Sequence, residues 1–277
     1  MDGHETSRDP GDATLGSSER HKHGFPLPEA ALRSVTDELI SRLAQRMPSD
    51  SSMLSRTLLT PAPKKELDDF CDALIYPDPA RSGRFFDELR VSGQTPDALS
   101  LCWIAGAARR LGERWTADTC GFLDVTLGLS RLHGLQRNLR DAFMPGSIYQ
   151  PPELSALFAA VPGETHLLGV TMSADFFRRA GWSVDFHSEP DMESLCDRAQ
   201  AGDYRLIGLS AGSLTVLDAL KTTVQRLRAG LPGVKIVLGG YITRLEPNIT
   251  EQVNVDHVFT EGASAPLVCQ NLVFPAD

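Results

Sequence analysis

Ala156-Leu157-Phe158-Ala159-Ala160-Val161, followed after Pro162-Gly163 by Glu164-Thr165-His166-Leu167-Leu168-Gly169, is the stretch on which the reading of this chain turns. An uninterrupted apolar run of this length suits a strand covered on both faces, as in a parallel sheet. The residues behind it open an amphipathic helical pattern over 167–180. Between the two lies a short loop holding an acid, a histidine two residues on and a glycine three further. A strand, a loop and a helix in that order begin a βαβ unit, and such sheets gather their ligands at the carboxyl ends of the strands. His166 belongs at that edge.

Towards the carboxyl terminus the pattern repeats. Apolar runs at 154–161, 182–187, 206–210, 235–238 and 257–260 predict five strands. Helices are expected near 167–180, 191–201, 214–229, 245–252 and 264–272. Strands separated by helices of this length require right-handed crossovers and hence a parallel sheet. The fold class is α/β: a flavodoxin-like doubly wound parallel five-stranded sheet, preceded by an all-α domain.

Towards the amino terminus the text is helical. Residues 29–47 place Leu32, Val35, Leu39, Ile40 and Leu43 on one helix face. Further helices are expected at about 63–75, 79–91, 95–115 and 119–143, the last two announced by Thr95-Pro96-Asp97 and Asp118-Thr119. Pro145-Gly146 closes the last. The expected division is a disordered tail at 1–25, a helical bundle at 26–145, a linker at 146–153 and the sheet domain at 154–277. The tail is polar and lacks large apolar residues to bury.

Composition excludes several classes. The chain has 277 residues, 42% hydrophobic and 23% charged, with a formal charge of −9. That balance argues against a broad phosphate-neutralising surface, so direct nucleic-acid binding is not expected. Five scattered cysteines, Cys71, Cys102, Cys120, Cys196 and Cys269, offer neither zinc-type pairs nor a disulfide framework. No apolar run approaches the roughly 20 residues of a membrane span, and the first 25 lack a signal-type apolar core. A cytoplasmic protein without membrane contact is expected.

The chemistry of the loop is that of an axial metal ligand. A neutral imidazole binds cobalt or iron well, and its basicity rises when the other ring nitrogen donates to a carboxylate. Glu164 has the reach for this. Gly169 would leave room for a bulky ligand beside the helix.

The loop resembles the cobalamin-binding signature Asp-x-His-x-x-Gly, with Glu164 for the aspartate. Ser210-Ala211-Gly212 stands where that fold has Ser-x-Leu after its third strand, and Gly239-Gly240 where it has a glycine pair after its fourth. Leu111-Gly112-Glu113-Arg114-Trp115 resembles the Gly-x-x-Trp segment of the helical cap over cobalamin in methionine synthase and CarH-type light sensors. By that resemblance Trp115 lies over the ring. Where CarH-type sensors follow the tryptophan with His and, further on, Glu-His, this chain has Thr116 and Val125-Thr126. The resemblance implies a cofactor-binding set of Glu164, Thr165, His166, Gly169, Ser210, Gly212, Gly239, Gly240, Trp115, Phe122, Glu261 and Gly262. His166 is then the lower axial cobalt ligand, and His133 or His4 supplies a candidate upper one.

Over about 95–272 the chain resembles the PpaA/AerR antirepressors of purple photosynthetic bacteria. The motifs are Gly112-Glu113-Arg114-Trp115, Gly121-Phe122-Leu123-Asp124-Val125-Thr126, Arg131-Leu132-His133, the Glu164 loop, and Phe177-Arg178-Arg179-Ala180-Gly181-Trp182. That resemblance implies a non-enzymatic regulator that binds cobalamin (adenosyl-, methyl- or hydroxo-). It would act by protein contact on a PpsR/CrtJ-type repressor in response to light or redox state. A haem-binding redox sensor on the same fold and a corrinoid methyl carrier are the alternatives. A phospho-receiver is set aside, because the third strand ends in Ser210 where it would need an aspartate.

Overall fold

The computed structural model describes residues 59–143, 153–188, 191–260 and 264–274. The helix expected over 29–47, the tail and nearly all of the linker lie outside those residues. So do His4, Glu261 and Gly262.

The helical part opens with α1 (Lys64–Ile75) and α2 (Ala80–Val91). A short turn α3 (Pro96–Ala98), capped by the Thr95 hydroxyl, runs into a π-helical stretch Leu99–Ile104 and on into α4 (Ala105–Thr116). The expected helix over 95–115 is therefore present but widened in its first half. Then α5 (Phe122–Phe143) follows a tight turn in which Asp118 adopts φ 52°. The Gly121 N–H donates to the Asp124 carboxylate. That turn holds the start of α5 three residues later than the sequence pattern suggested. Phe70, Leu74, Phe86, Leu99, Trp103, Leu111, Leu132 and Leu139 form the core of this bundle. Arg131 fastens its open end by donating to the carbonyls of Leu74, Tyr76 and Pro77, which α1 leaves without helical partners.

The sheet part runs β1 (Ser155–Ala160), α6 (Leu168–Arg179), β2 (Ser183–His187), α7 (Met192–Ala201) and β3 (Leu206–Ser210). A 3-10 turn Leu214–Val216 leads into α8 (Leu217–Gly230), and β4 (Lys235–Gly239) follows. All strands are parallel, in the order β2-β1-β3-β4-β5, with β5 at His257–Val258. This is the flavodoxin-like arrangement. Alternate residues of each strand serve opposite layers. Leu157, Ala159, Ile207, Leu209, Ile236 and Leu238 pack towards α7 and α8. Ala156, Phe158, Leu206 and Val237 pack towards α6 and the last helix, α11 (Ala265–Val273).

Two expectations need correcting. The helix expected over 245–252 is two short ones, α9 (Ile242–Leu245) and α10 (Ile249–Gln252). Pro247 lies between them, with no N–H to continue a helix. The fifth strand is only His257–Val258, because β5 pairs at the edge with Val237 and Leu238 alone.

The two parts share a seam along α6. Met172 and Phe176 are members of the bundle's own core, and Leu168 packs against it. Asp175, fully buried, accepts from Gln136 Nε2 (2.9 Å), Arg140 Nε (2.7 Å) and Arg178 Nη1 (2.9 Å). Gln136 is itself buried and takes a bond from the Ser100 hydroxyl on the π-helical stretch. Arg179 reaches across to Asp97 at 2.8 Å.

Candidate functional site

The loop after β1 is built by a turn the sequence announces. The Glu164 N–H donates to the Val161 carbonyl at 2.9 Å, with Pro162 and Gly163 between and Gly163 at φ 86°. Proline then glycine with positive φ makes a type II turn. It drops Glu164 back under the carboxyl edge of the sheet, where the residue is only 5% exposed.

The Glu164 carboxylate is enclosed by donors. Oε1 accepts the backbone N–H groups of Thr165 (2.8 Å) and His166 (2.9 Å) and faces His166 Nδ1 at 2.5 Å. Oε2 accepts the N–H of Gly212 at 2.5 Å. Burial pushes the carboxyl up, but the hydrogen bonds from the His166 ring, the His166 N–H and the Gly212 N–H outweigh it and bring the pKa down to about 2. An ionised carboxylate only accepts, so Nδ1 carries a proton, and Nε2 is the ring nitrogen left to bind a metal. The ring is one-third exposed. Among the described residues nothing hydrogen-bonds to Nε2.

Around this pair the edge is kept small. Ala160, Ser210 and Gly239 stand in register across β1, β3 and β4. A Cβ on Gly169 would meet nothing within 4 Å, and one on Gly239 only the Phe259 carbonyl at 3.9 Å. Neither glycine is demanded by the packing of the chain itself. Gly240 differs from its expected role. It sits at φ 96°, and a Cβ there would lie 2.3 Å from the Ala211 carbonyl oxygen, so the chain's own turn requires that glycine.

From the helical side, α5 presents one face to α6. Gln136 and Arg140 on that face hold Asp175, and His133 stands one turn before Gln136. His133 is half-buried. Burial first, then the neighbouring Arg137 charge, lower its pKa, so the ring is neutral at pH 7. Phe122, three turns further back on the same side, is 52% exposed. Trp115 is largely shielded. It is 8% exposed, edge-on to the Phe122 ring at 5.8 Å and packed with Val125, Cys120 and Leu129. Its indole supports Phe122 from behind, and Phe122 is the ring offered outward.

Among the described residues no three His, Cys, Asp or Glu side chains group into a metal-holding set. A metal on His166 Nε2 would thus bring its remaining ligands with it, as a macrocycle does. The donor set, the bare row of small residues and the open glycines fit such a group.

Residues 154–268 match the B12 binding domain. That match spans β1 to α11 and includes the whole Glu164 loop. Among curated proteins, an uncharacterized 20.5 kDa protein in the bchF-crtJ intergenic region of Rhodobacter capsulatus is 26% identical over 174 residues, 62% of this chain and 91% of that one. Among solved structures, the monomethylamine corrinoid protein of Methanosarcina barkeri aligns with a TM-score of 0.64 at 16% identity, over 76% of this chain and 100% of the other. At that identity the likeness concerns the fold, helical part included.

Two features of the loops at this edge were not read from sequence. The Pro162-Gly163 signal was available and marks the turn. The role of the Gly212 N–H was not, because it depends on a neighbour 48 residues away. Gly169→Ala separates fold from ligand. With nothing near its Cβ, the helix should gain up to about 1 kcal/mol, seen as a raised melting temperature. Cobalamin affinity should fall in the same variant, by titration followed in the visible spectrum.

Proposed function

We propose that this protein is a cobalamin-dependent regulator that senses light or redox state and acts by contact with a transcriptional repressor, without turnover. The observation that carries the reading is the Glu164–His166 pair, which holds Nε2 towards an edge left open at Gly169 and Gly239. His166 would hold cobalamin through Nε2, and the cofactor would supply a metal centre whose chemistry responds to light or to oxidation state. The chain's own residues do the rest. Glu164 fixes the tautomer of His166, the small row at 160, 210 and 239 admits the ligand, and Phe122 with His133 stands on the face of α5 turned towards α6.

A sensor needs the ligand's state to alter the balance between two arrangements of the protein. The buried Asp175 cluster supports that reading. It ties α5 of the helical part to α6, the helix that begins just after His166. The position of the curated relative between bchF and crtJ supports a link to the genes of that region. The formal charge of −9 suits a basic protein surface better than DNA as the partner.

The test is a dark titration with adenosylcobalamin and hydroxocobalamin, then illumination, beside a haem titration. We expect stoichiometric cobalamin binding, a light-driven spectral change, and a loss of affinity on the order of 100-fold in His166→Ala. Stoichiometric haem binding with no cobalamin binding would overturn the cofactor. Cobalamin binding without any response to light or reductant would favour a corrinoid carrier.

A further inference from the structure

We propose that Gly212 is a positioning residue for the metal-facing histidine: its missing side chain admits the long carboxylate of Glu164, and its N–H pins that carboxylate against His166 Nδ1. The proposal rests on the reading of His166 as an axial ligand.

Two glycines of the loops at this edge are explained by backbone conformation, Gly163 at φ 86° and Gly240 at φ 96°. Gly212 is not among the residues with positive φ, so its own backbone would accept a side chain. What forbids one is a single neighbour. A Cβ on Gly212 would lie 2.9 Å from Glu164 Oε2, 3.4 Å from Cδ and 3.6 Å from Oε1, and those three atoms are its nearest contacts. The same Oε2 takes the Gly212 N–H at 2.5 Å.

Glutamate is one methylene longer than aspartate. Starting from the same loop position, its carboxyl group reaches further towards the loop after β3. It can stay within bonding distance of Nδ1 only if that loop is bare where the oxygen arrives. The glutamate at 164 and the glycine at 212 are thus one device in two halves. Apart from the imidazole, every donor on the carboxylate among the described residues is a backbone N–H: those of Thr165, His166 and Gly212. None can rotate away as a hydroxyl could, so the orientation of the ring is set by the path of the chain.

The test begins on the cofactor-free protein. Proton and nitrogen NMR should show a strongly downfield His166 Nδ1–H, assigned by its loss in His166→Ala. Gly212→Ala should shift that signal upfield or erase it, and weaken hydroxocobalamin binding by about 10–100-fold, as for loss of a partner that orients a ligand. In the double variant Glu164→Asp/Gly212→Ala the shorter acid retreats from the new methyl group, and both signal and binding should recover. Recovery means a coupling between the two sites that independent substitutions would not show. Should Gly212→Ala fail to fold, the same double variant decides by its melting temperature: recovery supports the collision with Glu164, and no recovery overturns it. An unaltered signal in Gly212→Ala, or equal impairment of the single and double variants, also overturns it. A normal downfield signal in a wild-type protein that binds no hydroxocobalamin would instead remove the cofactor reading and leave the positioning role standing.

Discussion

Asp175→Ala should lower the stability of the protein by about 3–5 kcal/mol, the cost of removing one member of a buried, hydrogen-bonded charge cluster. Asp175 is wholly shielded from water and receives three side chains from two helices. Without it, Arg140 and Arg178 lose their common counter-charge, and the Gln136 amide, buried itself, is left with an unmet N–H. Chemical denaturation by urea, with α-helical circular dichroism as the signal, measures the loss. Asp175→Asn should fall between, because it keeps an acceptor and gives up the charge. A loss below about 1 kcal/mol, ordinary for a surface pair, would mean that the apolar contacts of Met172 and Phe176 hold the seam alone. The same variant bears on regulation. If the cluster ties the helical part to α6, a folded Asp175→Asn protein should show faster protease cleavage within α5 and a blunted difference between its dark and illuminated forms.

Gly240→Ala is the second large effect, at roughly 2–5 kcal/mol. Its backbone lies at φ 96°, where a residue with a side chain is strained by about 1–3 kcal/mol, and the new methyl carbon would meet the Ala211 carbonyl. That neighbour is main chain, held in place by the Ala211 N–H to Gly239 bond and by the Ile242 N–H on the Ala211 oxygen. It cannot swing aside as a flexible side chain would. The expected result is a drop in melting temperature without any change in the His166 Nδ1–H signal, if the loop after β1 keeps its shape. Gly169→Ala should do the reverse, and the pair of variants tells glycines kept for the fold from glycines kept for a ligand.

Much of the fold was legible because its signals are local. The apolar runs at 154–161 and 206–210 are bounded by turn residues and become β1 and β3 with little change. Thr95-Pro96-Asp97 and the apolar stripe behind it mark a helix, yet nothing local reveals the π-helical stretch Leu99–Ile104 inside it. The short edge strand β5 was overestimated for a related reason. Val258 and Phe259 look like a strand, but their length of pairing is decided by β4. At the site, Glu164, His166 and Gly169 were legible as a motif, and the first two meet in space. The Asp175 cluster was not, since its partners lie 35 and 39 residues away and look like ordinary charged and polar helix positions.

The order of strands in the sheet also has a consequence in time. The bundle closes when α5 reaches α1 and Arg131 meets the Leu74 carbonyl, and all of it precedes β1 in the chain, whereas β1 must wait for β3, some fifty residues later, before its second edge is paired. Parts made first in the chain can fold while the rest is still being made. During synthesis the helical part can be complete while β3 and β4 are still to emerge. Glu164 gains its bond from Gly212 only after β3 has docked. The newly made protein therefore passes through a stage with a finished bundle and an unfinished metal-facing edge, and competence to bind arrives last.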